Sequence, residues 1–218
     1  MQRSLAKRVG YGFVSVFARL AGVLLFRIRC FGRENIPTTG GGLICANHQS
    51  YFDPLLVGLT FNRRMNFLAR SSLFRFGLFG WLIKSLDAIP IERDGLGLSG
   101  LKETLKRIKD GEFVLIFPEG TRTADGEVGP LKAGFCPIAR RAKVPIIPVA
   151  LDGAFQAWPR GAIFPRFSTI HICVGPPITV ADFDQYDDEQ LVAELARRIG
   201  ELHTHARQTR LEQRHGSL

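Results

Sequence analysis

A histidine and an aspartate five positions apart form the first pair in this sequence that could move a proton. They lie in segment 47–54, NHQSYFDP, which follows a short apolar run. Asp53 suits the N-cap of a helix and Pro54 its first residue, although Ser50 offers an alternative cap. Because this spacing does not fit one helix face, a loop that turns into a helix must bring His48 and Asp53 together.

Such a pair suits general-base chemistry. A carboxylate bonded to one imidazole nitrogen fixes the tautomer and leaves the other nitrogen as the base, worth ~10²–10⁴ in rate. A structural histidine bonded to a helix cap is the alternative interpretation. No GxSxG motif supplies a nucleophile, Cys45 sits within the apolar run and Ser50 suits capping. The pattern therefore favours direct transfer, in which His48 deprotonates a substrate hydroxyl that attacks an activated acyl carbonyl.

A second polar turn, FPEGTRT at 117–123, follows the strongest apolar run of the chain. Gly120 permits a tight backbone path, and Arg122 offers a planar fork for a phosphate. Glu119 has two possible roles: it holds Arg122 in place or accepts from a substrate hydroxyl. A solvent-exposed turn with a local ion pair is the alternative interpretation of the whole segment.

Two further segments are weaker candidates for a binding site. Arg93 follows the apolar run 88–91 and suits either a second phosphate contact or an exposed charge. The proline-punctuated run 144–150 suits a wall for an acyl chain, but a core strand is the simpler interpretation.

Strand-like and helical patterns alternate between these segments. The predicted strands are 42–46, 66–69, 88–91, 113–117, 146–151 and 169–174, and the predicted helices are 54–61, 98–109, 135–143 and 184–214. This order is typical of an α/β domain whose ligands bind at the loops that follow the strands. We therefore predict a single layered domain with a largely parallel mixed sheet flanked by helices. The aromatic-rich stretch 72–89 suits either a core helix or an apolar surface that meets lipid.

The first 28 residues predict a membrane-associated helical segment, followed by the domain over 29–218. Basic residues precede the apolar stretch 10–26, which Arg19 interrupts. It is shorter than the roughly 20 apolar residues of a clean membrane span, and no signal-peptide cleavage site follows. An interfacial helix is the preferred interpretation, and a packing helix of the domain is the alternative.

Composition narrows the possible partners. An apolar fraction of 45% excludes a disordered chain and a polytopic membrane protein, whereas the net charge of +9 favours anionic partners. No helix-turn-helix, RNA-binding aromatic motif or zinc spacing supports nucleic acid among those partners. The four scattered cysteines read as buried thiols, and no metal signature is present.

Taken in order, these motifs resemble those of the glycerolipid acyltransferase family, of the bacterial 1-acyl-glycerol-3-phosphate acyltransferase type. The family pattern is NHxxxxD, a strand ending in Arg, FPEGTR and a proline-rich apolar strand. Here these pieces are 47–53, 89–93, 117–122 and 144–149. The resemblance covers roughly residues 29–177, and the first and third motifs at this spacing make it specific.

The resemblance implies a catalytic pair and a phosphate-binding set. His48 and Asp53 correspond to the catalytic dyad; the substrate-binding residues would be Arg93, Glu119, Gly120, Thr121 and Arg122. It further implies acyl-CoA or acyl-carrier protein as donor, lysophosphatidic acid as acceptor, no bound cofactor, and a place on the cytoplasmic face of the membrane.

Two departures from the family pattern concern the acceptor. Many relatives carry Lys and Glu after the second strand, whereas this chain has Arg70 in place of the Lys and lacks the Glu; Leu131 stands where an aromatic is common. Glycerol-3-phosphate, another lysophospholipid or a lyso-aminolipid are therefore alternative acceptors. A non-catalytic membrane-binding protein is a further alternative, against which the complete dyad argues.

Overall fold

The computed structural model describes residues 26–61, 63–75, 77–85, 87–92 and 97–215. The predicted membrane-associated segment lies outside them except for its last three residues. No helix in the part of the chain described here has the length and apolar character that crossing a membrane requires.

Seven strands of the described chain form one mixed sheet. They are β1 (Arg29–Phe31), β2 (Gly42–Ala46), β3 (Met65–Arg70), β4 (Ile89–Ile91), β5 (Phe113–Ile116), β6 (Ile146–Asp152) and β7 (His171–Val174), in the spatial order β1-β7-β6-β2-β5-β3-β4. All neighbouring pairs are parallel except β6–β7. The prediction of a largely parallel mixed sheet is confirmed.

Helices cover both faces of this sheet. They are α1 (Asp53–Thr60), α2 (Gly77–Ser85), α3 (Gly97–Lys109), α4 (Cys136–Ala142), α5 (Ala154–Ala157), α6 (Val180–Phe183) and α7 (Asp188–His215). One apolar cluster packs α1 and α5 against one face of the sheet, and a second packs α4 and α7 against the other. The alternation of strand side chains between the two clusters follows the period of a β-strand; Leu43 and Cys45 face one cluster, Ile44 and Ala46 the other.

The predicted elements agree with the structure except at short elements and at one helix boundary. Strand β1 was not predicted, because three residues carry too little pattern and are paired only through β7. The predicted helix 184–214 begins at Asp188, after α6, whose Thr179 and Asp182 form a reciprocal cap. Stretch 72–89 contains α2, which buries Ile83 and leaves Trp81 62% exposed, so it has both a core face and an exposed face.

The parallel order determines where chemistry can occur. Strands β2 and β5 are hydrogen-bonded neighbours, and the two polar loops follow their carboxyl ends. Such an edge of an α/β sheet is the usual ligand site. Strand β6 ends at the same edge, on the other side of β2.

Candidate active site

The loop between β2 and α1 brings His48 and Asp53 together. Nδ1 of His48 lies 2.7 Å from Oδ2 of Asp53, and the same oxygen accepts from the backbone N–H groups of Gln49 at 2.6 Å and Ser50 at 2.7 Å. The Asp53 side chain is fully buried, whereas that of His48 is 19% exposed. Since Oδ2 is an acceptor, Nδ1 carries the proton and Nε2 is left as the basic nitrogen.

The predicted cap at this loop is wrong in detail. Helix α1 begins at Asp53 itself, and its N-cap, Phe52, makes no side-chain cap bond. Ser50 does not cap the helix either, because its hydroxyl accepts from the N–H of Phe52 and donates to the carbonyl of Trp158. The Asp53 carboxylate points back into the loop, where it is bonded to Nδ1 of His48 and to the N–H groups of Gln49 and Ser50. The position inside the first helical turn still places a negative charge at the favourable end of the helix dipole.

The second polar loop packs directly on the first. The ring of Phe117 stacks on the imidazole of His48, with centroids 3.9 Å apart and planes 15° apart. The N–H of Thr123 donates to the carbonyl of His48 at 2.8 Å. These contacts hold the ring from one side while Asp53 holds its Nδ1 edge, so the imidazole orientation is fixed.

Glu119 supports the loop rather than Arg122. One carboxylate oxygen accepts from the N–H of His48 at 2.8 Å and the other from the N–H of Gly129 at 3.2 Å. The side chain is nearly buried; desolvation raises the pKa of Glu119, and the hydrogen bonds from the His48 and Gly129 amides offset part of that rise. Within the described chain no ion pair joins Glu119 to Arg122; this goes against the role of Glu119 in holding Arg122 and against the alternative interpretation of a turn with a local ion pair.

Arg122 is held by an aromatic ring instead. Its guanidinium carbon lies 3.5 Å from the centroid of the Tyr51 ring. Its Nη1 atom is buried and has no hydrogen-bond partner. A buried guanidinium donor without a partner is costly unless a ligand supplies an acceptor. The arrangement can therefore receive an anion such as a phosphate.

Gly120 and Thr121 form the exposed apex of this turn. Gly120 has a φ of +72°, which favours glycine, and a Cβ atom there would lie 3.3 Å from Nζ of Lys132. The Lys132 ammonium thus lies over Gly120 and adds a positive charge to the turn. Sequence reasoning did not assign Lys132 to the site.

Of the two remaining predicted arginines, only Arg70 lies within the described residues. Arg93 lies outside the described residues. Arg70 is exposed at the end of β3, two strands away from β2, and no hydrogen bond or ion pair of the described chain joins it to the site.

Gln49 is a buried residue of the site that sequence reasoning did not select. Its Nε2 donates to the carbonyl of Gly126 at 2.7 Å, and its Oε1 accepts from the N–H of Phe155 at 3.2 Å. It thereby ties the loop between β2 and α1 to the loop that follows β5 and to helix α5. No local signal could have identified this role, because the partners lie 77 and 106 positions away.

Cys45 is not a candidate nucleophile. It is fully buried, and burial followed by the nearby Cys136 raises its pKa far above the ordinary thiol range. Its thiolate, the reactive form, is therefore not accessible at neutral pH. The described residues contain no group of three His, Cys, Asp or Glu side chains suited to hold a metal.

Fold and site together define an α/β protein with a carboxylate-oriented imidazole beside a turn that carries a buried arginine nitrogen without a partner. The profile of the family described as Acyltransferase matches residues 27–152. The chain is 28% identical over 175 residues to the 1-acyl-sn-glycerol-3-phosphate acyltransferase of Bacillus subtilis, covering 80% of this chain and 85% of that protein. It is 30% identical to the enzyme of the same name from Pseudomonas aeruginosa, covering 85% and 70% of the two chains.

A solved structure agrees with this assignment. The crystal structure of the 1-acyl-sn-glycerophosphate acyltransferase from Thermotoga maritima superposes with a TM-score of 0.77 at 25% identity, covering 92% of this chain and 82% of that one. The chain belongs to the acyltransferase family.

Proposed function

We propose that this protein transfers a fatty acyl group from an acyl thioester to the free hydroxyl of 1-acyl-glycerol-3-phosphate, which yields phosphatidic acid. The names of its relatives from Bacillus subtilis and Pseudomonas aeruginosa support this acceptor. The single observation that carries the proposal is the His48–Asp53 pair at 2.7 Å, next to an arginine whose buried Nη1 lacks a partner.

The reaction requires one proton acceptor and one positioned hydroxyl. Nε2 of His48 takes the hydroxyl proton as the oxygen attacks the thioester carbonyl. The tetrahedral intermediate then expels the thiolate, which takes the proton back from the imidazolium, so His48 ends as it began. Asp53 stabilises the imidazolium and keeps Nδ1 protonated throughout.

Binding of the acceptor phosphate orients the acceptor hydroxyl towards His48 and the thioester. Arg122 supplies the fork, the backbone of Gly120 and Thr121 forms the turn beneath it, and the Lys132 ammonium adds charge. From the sequence resemblance, Arg93 is a second contact and Arg70 replaces the usual lysine. Glu119 acts here as the positioning residue that fixes the His48 backbone.

The donor is acyl-CoA or acyl-carrier protein, and no bound cofactor takes part. We place the protein on the cytoplasmic face of the cell membrane as a peripheral or monotopic protein. The acceptor is a lipid, and the segment 1–28 is basic and apolar, so both point to an anionic membrane surface as a partner.

A transfer assay with labelled acyl-CoA tests the proposal. The acceptors compared are 1-acyl-glycerol-3-phosphate, glycerol-3-phosphate, a zwitterionic lysophospholipid and monoacylglycerol, with the full chain and its His48→Ala variant. We expect transfer to the first acceptor, at least ~10²-fold slower transfer with the variant, and little transfer to monoacylglycerol. Equal use of monoacylglycerol, or an acyl group trapped covalently on the chain during turnover, would contradict the scheme.

A further inference from the structure

An exposed apolar loop lies next to the site and has no part in the chemistry described above. In loop 158–168, the side chains of Ile163, Phe164 and Phe167 are 82%, 79% and 82% exposed. Three large apolar side chains within five positions form a patch that soluble surfaces seldom leave in water. Such a patch indicates a surface that is covered by a binding partner or a membrane in the functional state.

The charges of the loop indicate which kind of surface covers it. Arg160 precedes the three apolar residues, Arg166 lies between Phe164 and Phe167, and both arginines are exposed; loop 158–168 contains no acidic residue. Aromatic and aliphatic side chains next to arginines match the interface of an anionic bilayer, where the apolar groups enter the acyl boundary and the guanidinium groups stay at the headgroups.

The base of the loop is fixed to the catalytic loop. The Trp158 ring packs against those of Tyr51 and Phe52, with centroids 5.2 Å and 4.8 Å away, and the Trp158 carbonyl accepts from Ser50. Nε1 of Trp158 donates to the carbonyl of Ala162 at 2.9 Å. The apolar tip therefore has a defined position relative to the dyad.

The start of the described chain lies at the same place. The Phe26 ring packs edge-on against Phe52 at 5.2 Å, and the Phe26 carbonyl accepts from the N–H of Ile170. Arg27 and Arg29, which follow, are exposed. Phe26, which follows the basic and apolar sequence 1–25, thus lies beside loop 158–168.

We propose that loop 158–168 is a membrane-docking element that inserts Ile163, Phe164 and Phe167 into an anionic bilayer surface. Arg160 and Arg166 contact the lipid headgroups, and the carboxyl edge of the sheet faces the bilayer. The benefit to catalysis rests on the function proposed above: a lipid acceptor reaches His48 without leaving the interface.

A fluorophore that reports local polarity tests the docking directly. Nitrobenzoxadiazole is attached to Phe164→Cys in the full chain, and to Lys109→Cys as the matched control. Lys109 is exposed at the end of α3, at the amino edge of the sheet, opposite the site. Three of the native cysteines are buried, and the labelled parent chain provides the background signal.

Vesicles of phosphatidylglycerol and phosphatidylcholine are then added. We expect the emission at position 164 to shift to the blue with vesicles and the emission at 109 to stay unchanged. Emission at 164 that is already blue without vesicles would mean that the chain itself covers the loop and would overturn the proposal. Bound chain with no shift at 164 would overturn it too, since another surface would then make the contact.

A second variant separates docking from catalysis. We expect I163S/F164S/F167S to bind the same vesicles at least about tenfold more weakly. Its turnover of a short-chain acceptor that stays monomeric in solution should equal that of the parent chain. Vesicle binding is measured without turnover, so failure of the docking proposal can be distinguished from failure of the acyltransferase proposal. If the triple variant binds vesicles as strongly as the parent chain, the docking proposal is overturned.

Discussion

At the scale of single residues, the site depends on what surrounds each charge. Asp53 is buried with three donors on one oxygen, while its Oδ1 is buried without a hydrogen-bond partner. In the mechanism proposed above, this carboxylate faces the positive charge that develops on His48 during proton transfer. Arg122, in contrast, is oriented by the face of Tyr51 and keeps a free buried donor for a ligand.

Replacement of Asp53 by Asn tests the orienting role. The amide oxygen can still accept from the loop N–H groups, but the negative charge that stabilises the imidazolium is lost. We expect kcat to fall ~10²–10⁴-fold while KM for the acceptor changes little. Steady-state kinetics measure this split, and the thermal unfolding transition of the variant controls for loss of the fold. A kcat within twofold of the parent value would exclude Asp53 from the mechanism.

Replacement of Arg122 tests the phosphate contact. Arg122→Ala should raise KM for a phosphate-bearing acceptor by at least ~10-fold, because a charge-assisted hydrogen bond is worth roughly 1.5–3 kcal/mol. Arg122→Lys, which keeps the charge but loses the planar fork, should recover only part of the loss. KM for the acyl donor serves as the internal control. An unchanged acceptor KM in the alanine variant would refute the clamp.

At the scale of elements, the turn at Gly153 connects β6 to a helix and a loop next to the site. Gly153 ends β6 with a φ of +94°, and a Cβ atom there would lie 2.1 Å from the carbonyl oxygen of Thr169. This close approach lets β6 turn directly into α5 and the Trp158 loop. The sequence shows a glycine at this point but not the segment before β7 that passes over it.

Alanine substitutions at Gly153 and Gly161 separate the effect of the contact with Thr169 from the effect of the left-handed backbone. Gly161 has a similar φ of +90°, yet a Cβ atom added there would have no neighbouring atom within 4 Å. Both alanine variants carry the left-handed backbone cost of roughly 1–2 kcal/mol. We expect Gly153→Ala to lower the free energy of unfolding by at least about 1 kcal/mol more than Gly161→Ala. Urea denaturation measures both, and equal losses would show that the contact with Thr169 relaxes freely.

At the scale of the whole molecule, a buried charge cluster fastens the C-terminal helix to the sheet. Asp152, at the end of β6, accepts from Nε of Arg210 and from Nε of Arg207, and Nε2 of His203 lies 3.5 Å away. Burial by itself raises the pKa of Asp152, but the hydrogen bonds from His203 and Arg210 and the charge of Arg210 outweigh it. The resulting pKa is about 2.

This cluster predicts a defined pH dependence of stability. Because the pKa of Asp152 is lower in the folded state than in the unfolded state, its contribution is complete above pH ~4 and is lost as the pH falls towards ~2. Asp152→Asn leaves Arg210 buried without its charge partner and should cost about 3–5 kcal/mol near neutral pH. The difference in unfolding free energy between parent and variant should shrink over that acidic range.

Thermal or urea unfolding at several pH values measures this difference. Asp184→Asn, at an exposed position in the same C-terminal region, is the matched control and should follow the parent chain at every pH. A parent–variant difference for Asp152→Asn that stays constant from neutral pH to pH ~2 would show that this carboxylate has no lowered pKa in the fold.

Sequence by itself determined the parts of this protein that depend on near neighbours. Apolar runs and helical periodicity located six strands and four helices, since each pattern is contained in a few adjacent residues. The motif 47–53 likewise contained both members of the dyad, and 117–122 contained the arginine. The acyltransferase family was recognisable from these motifs, and the comparisons confirm it.

The tertiary structure decided everything that joins distant positions. It alone pairs β1 with β7, attaches Glu119 to the backbone of His48, places Tyr51 beneath Arg122 and brings Asp152 to Arg210. It also exposes the apolar tip of loop 158–168 beside the site. These contacts arise when strands far apart in the chain close into one sheet, and the free energy of that closure is shared by the whole core rather than encoded in a local pattern.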